Sequence, residues 1–335
     1  MKKSVKVESL KKLSGIKSAL FPSIARMGDI RCLFGSKEWI SSFSMTFKVN
    51  EPIIIKLTGT RFTHSPCIGL QTSRENAKIL EPIGTPYNDY NFFSTPSQTN
   101  EKLITDGLKE IQNEGYIINI DLLFDKQEVD WLSRLLKSND KGFEIKESQM
   151  PSVYCEYSGD VNGIDRVDKK FSIKLLEQIK KQLTREKFNI KVVKGSNPDF
   201  EKSLIRLLHH RKDNFFSQNK EDSILAFSTK FDRFMITLTN LKSIKPRCCI
   251  YELYLNNKYA ASDLYFYEDS YFLAYLGSFN RNLSKLSPGM ILTYLTHKYL
   301  SEKYKSVIID YTRGDEPYKF RIGGKNMKLY QLNSK

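Results

Sequence analysis

The sequence predicts a mixed α/β protein of two tandem domains, with the chemistry in the C-terminal one. The chain has 335 residues, which is long for a single core. Hydrophobic residues make up 40% of it and aromatic residues 12%, enough for packed cores. Strand-like runs alternate with helical periodicity along the chain. We place the domain boundary after residue 160, so that residues 1–160 form the first domain and residues 161–335 the second. The first domain is expected to be a degenerate copy of the second.

The first half shows short apolar runs that end near Gly or a polar turn, which is typical of strands. Its expected strands are Pro52–Gly59, Pro66–Gln71, Lys78–Gly84, residues 116–124 and the run "QMPSVYCEYSGD" before the connector. Its expected helices run from about Glu101 to Asn113 and from about Glu128 to Leu136, with a turn-rich stretch at Thr85–Asn100.

The second half begins with a basic amphipathic helix and a strand, together within Lys169–Lys194. Two further helices follow, "DFEKSLIRLLHHRKDNFF" and one marked by apolar residues from Phe227 to Leu241. Three strands joined by short polar pairs then predict an antiparallel meander: "CCIYELYL", "YAASDLYFY" and "SYFLAYLGSF". A helix from Ser287 to about Glu302 and the strand "SVIID" complete the series.

Two segments repeat one pattern. Each predicts a helix, a short turn, an apolar strand, an Asp and a second acidic residue shortly after it. The segments are "ITDGLKEIQNEGYIINIDLLFD" and "LTYLTHKYLSEKYKSVIIDYTRGD". Their corresponding positions favour two copies of one fold.

The formal net charge of +15 predicts attraction to a polyanion such as nucleic acid, an acidic membrane surface or a phosphorylated ligand. The positive residues are spread along the chain, however. In the densest stretch, Leu176, Ile179 and Leu183 share one helix face while lysines occupy the others. A solvated helix face is the favoured interpretation of this stretch, with a polyanion groove as the alternative.

Metal and disulfide chemistry are not expected. The five cysteines are scattered, and the four histidines show no ligand spacing with them or with one another. No apolar run approaches a membrane span, and the basic N-terminal stretch lacks the continuous apolar core of a signal peptide. We therefore expect a cytoplasmic protein without a metal.

The first motif that carries chemistry is "NRNLSKLSPGMIL". Ser287, Pro288 and Gly289 are a favourable helix start, and the free N–H groups of such a start bind anions. Arg281 and Lys285 would bring cationic side chains to the same place. A plain capped helix would show the same three residues.

The second motif is "DYTRGDEPYKF", Asp310 to Phe320. Asp310 ends an apolar strand, where α/β sheets expose functional groups. Asp315 and Glu316 precede a short helix favoured by Pro317, and Tyr318 follows, so a base and an acid fall within one turn. Salt-bridged surface charges on a capped helix are the alternative.

The stretch from "YLGSF" to "DEPYKF" resembles the C-terminal half of a GNAT-fold acetyltransferase family. That family is associated with cellulose and exopolysaccharide biosynthesis and is related in fold to the peptidoglycan aminoacyl transferases. Weaker likenesses extend to "LLHHRKDNFF", "GTPYNDY" and "SKEWISSF". Two positions depart from the family's pattern: Tyr311–Thr312 replaces the usual Phe-Leu, and Ile322 replaces a usual Trp, which offers a stacking surface.

The resemblance implies two tandem GNAT-like domains, a catalytic C-terminal one, and acetyl-CoA or another acyl-CoA as co-substrate. CoA would lie between "SYFLAYLGSF" and "SVIID", with its pyrophosphate on the helix start. The implied CoA contacts are Gly277, Ser278, Arg281, Ser287, Pro288, Gly289, Met290 and Lys319. Arg313 would contact the acceptor, although internal salt bridges explain Arg313 and Lys319 equally well. The resemblance implies Tyr318 as the acid for the leaving thiolate, with Asp310, Asp315 and Glu316 as candidate bases.

The expected function is direct transfer of an acyl group, in a ternary complex, to a nucleotide-linked amino sugar or another small amine. An aminoacyl-tRNA-dependent transferase of the peptidoglycan-bridge type is the alternative. The positive charge suits tRNA, but the sequence lacks the long heptad pair of a helical arm. A non-catalytic GNAT-like binding module is the third hypothesis.

Overall fold

The structure, a computed structural model, divides into two compact units. It describes residues 4–9, 21, 23–47, 53–58, 67–73, 75–91, 108–124, 129–130, 133–134, 142–158, 163–216 and 228–334. The first unit comprises Met1–Pro151 with Lys328–Lys335, and the second comprises Ser152–Met327. No helix within these described ranges has the length and apolar character needed to cross a membrane.

The first unit is built on a seven-stranded sheet with the order β1-β2-β3-β4-β5-β14-β6. Its elements are β1 (Ser4–Ser9), α1 (Lys37–Phe47), β2 (Ile53–Thr58), β3 (Cys67–Thr72), β4 (Ile79–Pro82), β5 (Ile117–Leu123), β6 (Phe143–Glu147) and β14 (Tyr330–Ser334). Residues 108–113 are helical, as expected for the helix from about Glu101, whose first residues lie outside the described ones. Of the helix expected at Glu128–Leu136, only residues 129–130 and 133–134 are described, and they are helical.

The second unit has its own seven-stranded sheet, ordered β13-β7-β12-β11-β10-β9-β8. Its strands are β7 (Ser152–Ser158), β8 (Phe188–Lys194), β9 (Cys248–Leu255), β10 (Lys258–Glu268), β11 (Tyr271–Phe279), β12 (Ser306–Arg313) and β13 (Lys325–Met327). Its helices are α2 (Gly163–Asp168), α3 (Ile173–Arg185), α4 (Phe200–Phe216), α5 (Thr229–Thr239), α6 (Pro288–Lys303) and α7 (Pro317–Arg321), and a 3-10 helix at Arg281–Leu286 precedes α6.

The predicted meander is confirmed. Strands β9, β10 and β11 pair antiparallel in sequence. Asn256 and Asn257, between the first two, have φ values of 48° and 64°. Asparagine tolerates this left-handed conformation, which a tight hairpin needs at both central residues.

The basic helix α3 packs one face on the core of the second unit. Leu175 and Ile179 are buried, and Leu176 and Leu183 pack against the same cluster. The helix face that the sequence indicated is therefore mostly correct, with Leu175 added to it.

The internal repeat is visible in both sheets. In the first unit β4 and β5 pair in parallel, Ile79 beside Ile117. In the second unit β11 and β12 pair in parallel, Tyr271 beside Ile308. Parallel neighbours need a crossover connection, and a helical segment supplies it in each case.

The division into units differs from the expected boundary after residue 160 in two places. Strand β7 lies in the second sheet, antiparallel to β12, with Cys155 opposite Ile309. Strand β14 lies in the first sheet, where it pairs with β5 and β6, and Leu332 is part of that unit's core. Both differences come from strand pairing between segments far apart in the sequence.

Candidate active site

The two parallel strands of the second sheet separate after a short paired stretch. Pairing covers 271–273 of β11 and 308–310 of β12, although the strands continue to Phe279 and Arg313. The register of β11 against β10 shifts between Leu276 and Ala274, so Tyr275 is an extra residue. Such a bulge bends its strand, which is consistent with the divergence of β11 from β12. Residues 274–279 therefore present a strand edge that β12 does not cover.

A cavity of about 590 Å³ lies at this separation. Its lining includes the edge of β11, the start of α6, the turn after β12 and one side of α4. Ten predicted site residues line it: Gly277, Ser278, Ser287, Pro288, Gly289, Met290, Arg313, Glu316, Tyr318 and Lys319. The structure thus brings the two predicted motifs to one place.

The start of α6 differs in detail from a capped helix. Ser287 is the N-cap residue and Pro288 the first helical one, as predicted, but the Ser287 side chain makes no capping hydrogen bond and its φ is 52°. A Cβ added at Gly289 would meet no atom within 4 Å. The helix start is therefore open toward the cavity, as an anion site requires.

Asp310 lies away from the cavity lining and is fully buried. Its Oδ1 accepts hydrogen bonds from Thr312 N (2.7 Å) and Ser152 Oγ (3.1 Å). Its Oδ2 accepts one from Tyr271 O–H at 2.6 Å. These three hydrogen bonds hold the end of β12 in place.

Lys319 is also buried, and it holds the same turn from the other side. Its Nζ donates to the carbonyl oxygens of Arg313 at 2.8 Å, Gly314 at 3.1 Å and Thr312 at 3.4 Å. It also lies 2.9 Å from Glu316 Oε2. Thr312 and Gly314 have φ values of 57° and 96°, unusual for a β-branched residue at the first position. The ammonium therefore stabilises a turn that the backbone alone would disfavour.

The remaining predicted residues separate into two groups. Tyr318 lines the cavity, with its ring edge-on to Tyr311 at a centroid distance of 6.3 Å. Desolvation, with a smaller effect of the Glu316 carboxylate, raises the pKa of Tyr318 further above neutrality, although the residue as a whole remains 36% exposed. Asp315 is exposed and does not line the cavity, and Arg281 lines a separate polar cavity beside it.

Residues 178–320 match a family model described as an acetyltransferase (GNAT) domain. The second unit carries a GNAT acyltransferase domain. The match includes β8 to β12 and the cavity between β11 and β12. A comparison with curated proteins finds no match.

Solved structures similar to the whole chain share its fold at low sequence identity. A conserved protein of unknown function from Bacteroides thetaiotaomicron VPI-5482 has a TM-score of 0.61 and 10% identity, covering 98% of this chain and 99% of that one. FemX has a TM-score of 0.57 and 12% identity over 90% and 91%. L-PGS from Bacillus licheniformis has 0.51 and 11% over 79% and 80%. The predicted fold class, two tandem GNAT-like domains with mixed sheets, is confirmed.

Three polar residues of the GNAT cavity were missed from the sequence. Asp263 on β10 lines the cavity opposite Gly277, and Arg211 and Asn214 reach it from α4. Burial raises the pKa of Asp263 to about 7. Arg211 Nη1 donates to Gly277 O at 3.3 Å. An Asp within the apolar run "AASDLYFY" was the available signal for the first, and the helix likeness in "LLHHRKDNFF" for the other two.

The departure at Tyr311 has a structural explanation. Tyr311 O–H lies 2.5 Å from His297 Nε2, and Tyr157 O–H lies 2.6 Å from His297 Nδ1. Burial lowers the pKa of His297 to about 3, so the ring is neutral at pH 7. A neutral ring has one N–H, so one tyrosine donates and the other accepts. Ile322, at the position of the family's Trp, is fully buried in the core and offers no stacking surface.

One group of possible metal ligands occurs among the described residues, outside the GNAT cavity. His209, His210 and Asp213 on α4 have ligand atoms within 4.8 Å of one another. Asp213 Oδ2 lies 3.3 Å from His209 Nδ1 and 4.0 Å from His210 Nδ1. The histidines alone have no ligand spacing in the sequence; the group is completed by Asp213, which lies three and four positions later on the same helix.

Proposed function

We propose that the second unit transfers an acyl group from acyl-CoA to the amine of an amino sugar or another small amine. The acyl group that we propose is acetyl. The observation that supports this proposal is the cavity between the diverging β11 and β12, with the open start of α6 beside it. Pantetheine would bind the uncovered edge of β11 through backbone hydrogen bonds. The pyrophosphate would bind at the N–H group of Gly289, because Met290 N–H already donates to Ser287 O at 3.0 Å.

A backbone N–H at Gly277 or Ser278 would stabilise the oxyanion that forms when the amine attacks the thioester. The leaving thiolate would take a proton from the hydroxyl of Tyr318, which lines the cavity. The neighbouring Arg313 lines the same cavity and is proposed to contact the acceptor.

We propose direct transfer, without a covalent intermediate on the protein. None of the described residues lining the cavity is a cysteine. Burial raises the pKa of Cys155 and Cys248 to about 12. Three serines line the cavity, but the nearby His297 is bonded to a tyrosine at each ring nitrogen, so it is not placed to activate them.

The reaction is assigned to the second unit alone, because Ser287-Pro288-Gly289 has no counterpart in the sequence before the helix of the first half. We also propose a cytoplasmic location, as expected from the sequence.

The binding site is tested by replacing Gly289 with glutamate. Its side chain would extend into the open space at the helix start and repel the pyrophosphate by size and charge. Acetyl-CoA at 100 times its Kd should stabilise the wild type by about 2.7 kcal/mol and the Gly289→Glu variant far less, as measured by the melting temperature. Gly289→Ala is the matched control, since a Cβ fits there without contact. An equal melting shift in wild type and Gly289→Glu would contradict this site.

The alternative is an aminoacyl-tRNA-dependent transferase, which the net charge of +15 favours. Exposed lysines on α3, among them Lys174 and Lys181, would then contact RNA phosphates. Titration of labelled tRNA at rising salt concentration distinguishes the two functions. Submicromolar binding that weakens steeply with salt, without stabilisation by acetyl-CoA, would replace the first proposal by the second.

A further inference from the structure

We propose that Asp263 is the general base that takes a proton from the attacking amine. The inference rests on the proposed function, and it assigns a residue that lies in neither sequence motif. Asp263 belongs to β10, the strand that pairs with β11 on the side opposite to β12.

Asp263 lies directly beside the expected position of the thioester. It is paired with Gly277 across the two strands, and it lines the cavity. A Cβ added at Gly277 would come within 2.6 Å of Asp263 Oδ1. The glycine therefore leaves room for this carboxyl group over the strand edge where the acyl carbonyl would be held.

The other carboxylates are less suited to the role. Asp310 is buried, and three donors occupy its oxygens. Glu316 lines the cavity, but its Oε2 lies 2.9 Å from Lys319 Nζ and its side chain is 56% exposed. Within the described part of the chain, no hydrogen bond or ion pair engages the Asp263 carboxyl group. It can therefore accept a proton without breaking an existing contact.

The surroundings of Asp263 bring the pKa of its carboxyl group close to neutral pH. Burial is what raises its pKa to about 7. Four tyrosines interact with it electrostatically: Tyr259 and Tyr265 on β10, Tyr311 on β12 and Tyr318 on α7. The charged residues Glu316, Arg313 and Arg211 line the same cavity. A base with a pKa close to the working pH is the most effective one.

The amine nitrogen forms a bond to the acyl carbon and gives one proton to Asp263, while the C–S bond breaks. The sulfur takes one proton from Tyr318. Asp263 then releases its proton to solvent, and Tyr318 takes up a proton from solvent. One amide and one CoA thiol leave the enzyme.

The test uses water as the acceptor, because hydrolysis of acetyl-CoA does not depend on the identity of the amine. The full-length protein is mixed with acetyl-CoA, and released thiol is measured between pH 5 and 9. Wild type should show a rate that rises with an apparent pKa near 7, and Asp263→Asn should lose this rise and release thiol 10²–10⁴-fold more slowly. Asp199→Asn, an exposed carboxylate on the same unit, is the control and should match wild type.

A second measurement detects the partly buried Asp263 carboxylate without turnover. The folded-state pKa of Asp263 lies above its ordinary value of 3.8, so its contribution to stability decreases as the pH rises through this interval. Asp263→Asn should therefore melt at a higher temperature than wild type at pH 8, and the difference should shrink at pH 5.

The outcomes separate the two proposals. Absence of acetyl-CoA stabilisation in wild type would contradict the proposed function. Stabilisation together with an unchanged pH–rate profile in Asp263→Asn would overturn the assignment of the base alone. Bound acetyl-CoA without any thiol release above the buffer rate would also overturn it, since a poised base over the thioester must activate water.

Discussion

Replacing Lys319 by methionine tests whether this side chain holds the turn after β12 or binds the co-substrate. Methionine has a similar length but donates no hydrogen bond, so two carbonyl oxygens, those of Arg313 and Gly314, lose donors at 2.8 and 3.1 Å. A hydrogen bond from a charged donor contributes about 1.5 kcal/mol at the low end. The contact with the exposed carboxylate of Glu316 adds little.

We therefore expect Lys319→Met to lower the free energy of unfolding of the second unit by about 3 kcal/mol. For a unit of this size, that corresponds to a decrease of about 6–12 °C in melting temperature. Thermal unfolding followed by circular dichroism is the assay. Lys325→Met, at an exposed lysine 3.4 Å from Glu156, is the control and should change stability by less than about 0.5 kcal/mol.

The result that would refute this reasoning is a Lys319→Met protein that melts within 2 °C or so of the control but is no longer stabilised by acetyl-CoA. Lys319 would then be a ligand contact, as the family resemblance implied, and the three carbonyl contacts would contribute little.

Two further predictions concern the groups around the cavity. His297 has a pKa of about 3 in the folded state against an ordinary value of 6.5, so stability should fall as the pH decreases between these values, by about 1.4 kcal/mol per unit. Acid unfolding should show a shallower dependence in His297→Gln, and an identical slope would mean that the ring is not neutral in the folded protein. Tyr318→Phe keeps the ring and removes the proton donor, so acyl-CoA affinity should stay unchanged while turnover falls 10²–10⁴-fold. Full turnover by Tyr318→Phe would rule out Tyr318 as the acid.

Local features of the fold were predictable because their causes are local. The hairpin at Asn256-Asn257 depends on two residues that tolerate positive φ. The start of α6 depends on Pro288, whose fixed φ suits the first helical position. Helix α5 depends on apolar side chains spaced three and four residues apart, and Phe231, Phe234 and Leu238 are indeed buried.

The candidate site was only partly predictable because it depends on strand register. Asp263 faces the cavity because a bulge and the antiparallel pairing place it opposite Gly277, and neither feature is visible in either segment alone. Asp310 has the expected position at the end of β12, but its donors include Ser152, 158 positions away. A sequence motif locates a carboxylate near a site, whereas the donors around it decide between a structural and a chemical role.

The position of β14 has a consequence for the synthesis of the protein. Strands β5 and β6 of the first unit do not pair with each other, because β14 lies between them. Ile118 N–H donates to Ser334 Oγ at 2.8 Å across 216 positions of sequence. At a ribosomal rate of roughly 5–20 residues per second, β5 waits on the order of 10–40 s for this partner. During that interval the nascent chain exposes two unpaired strand edges, which can pair with another chain and so promote aggregation.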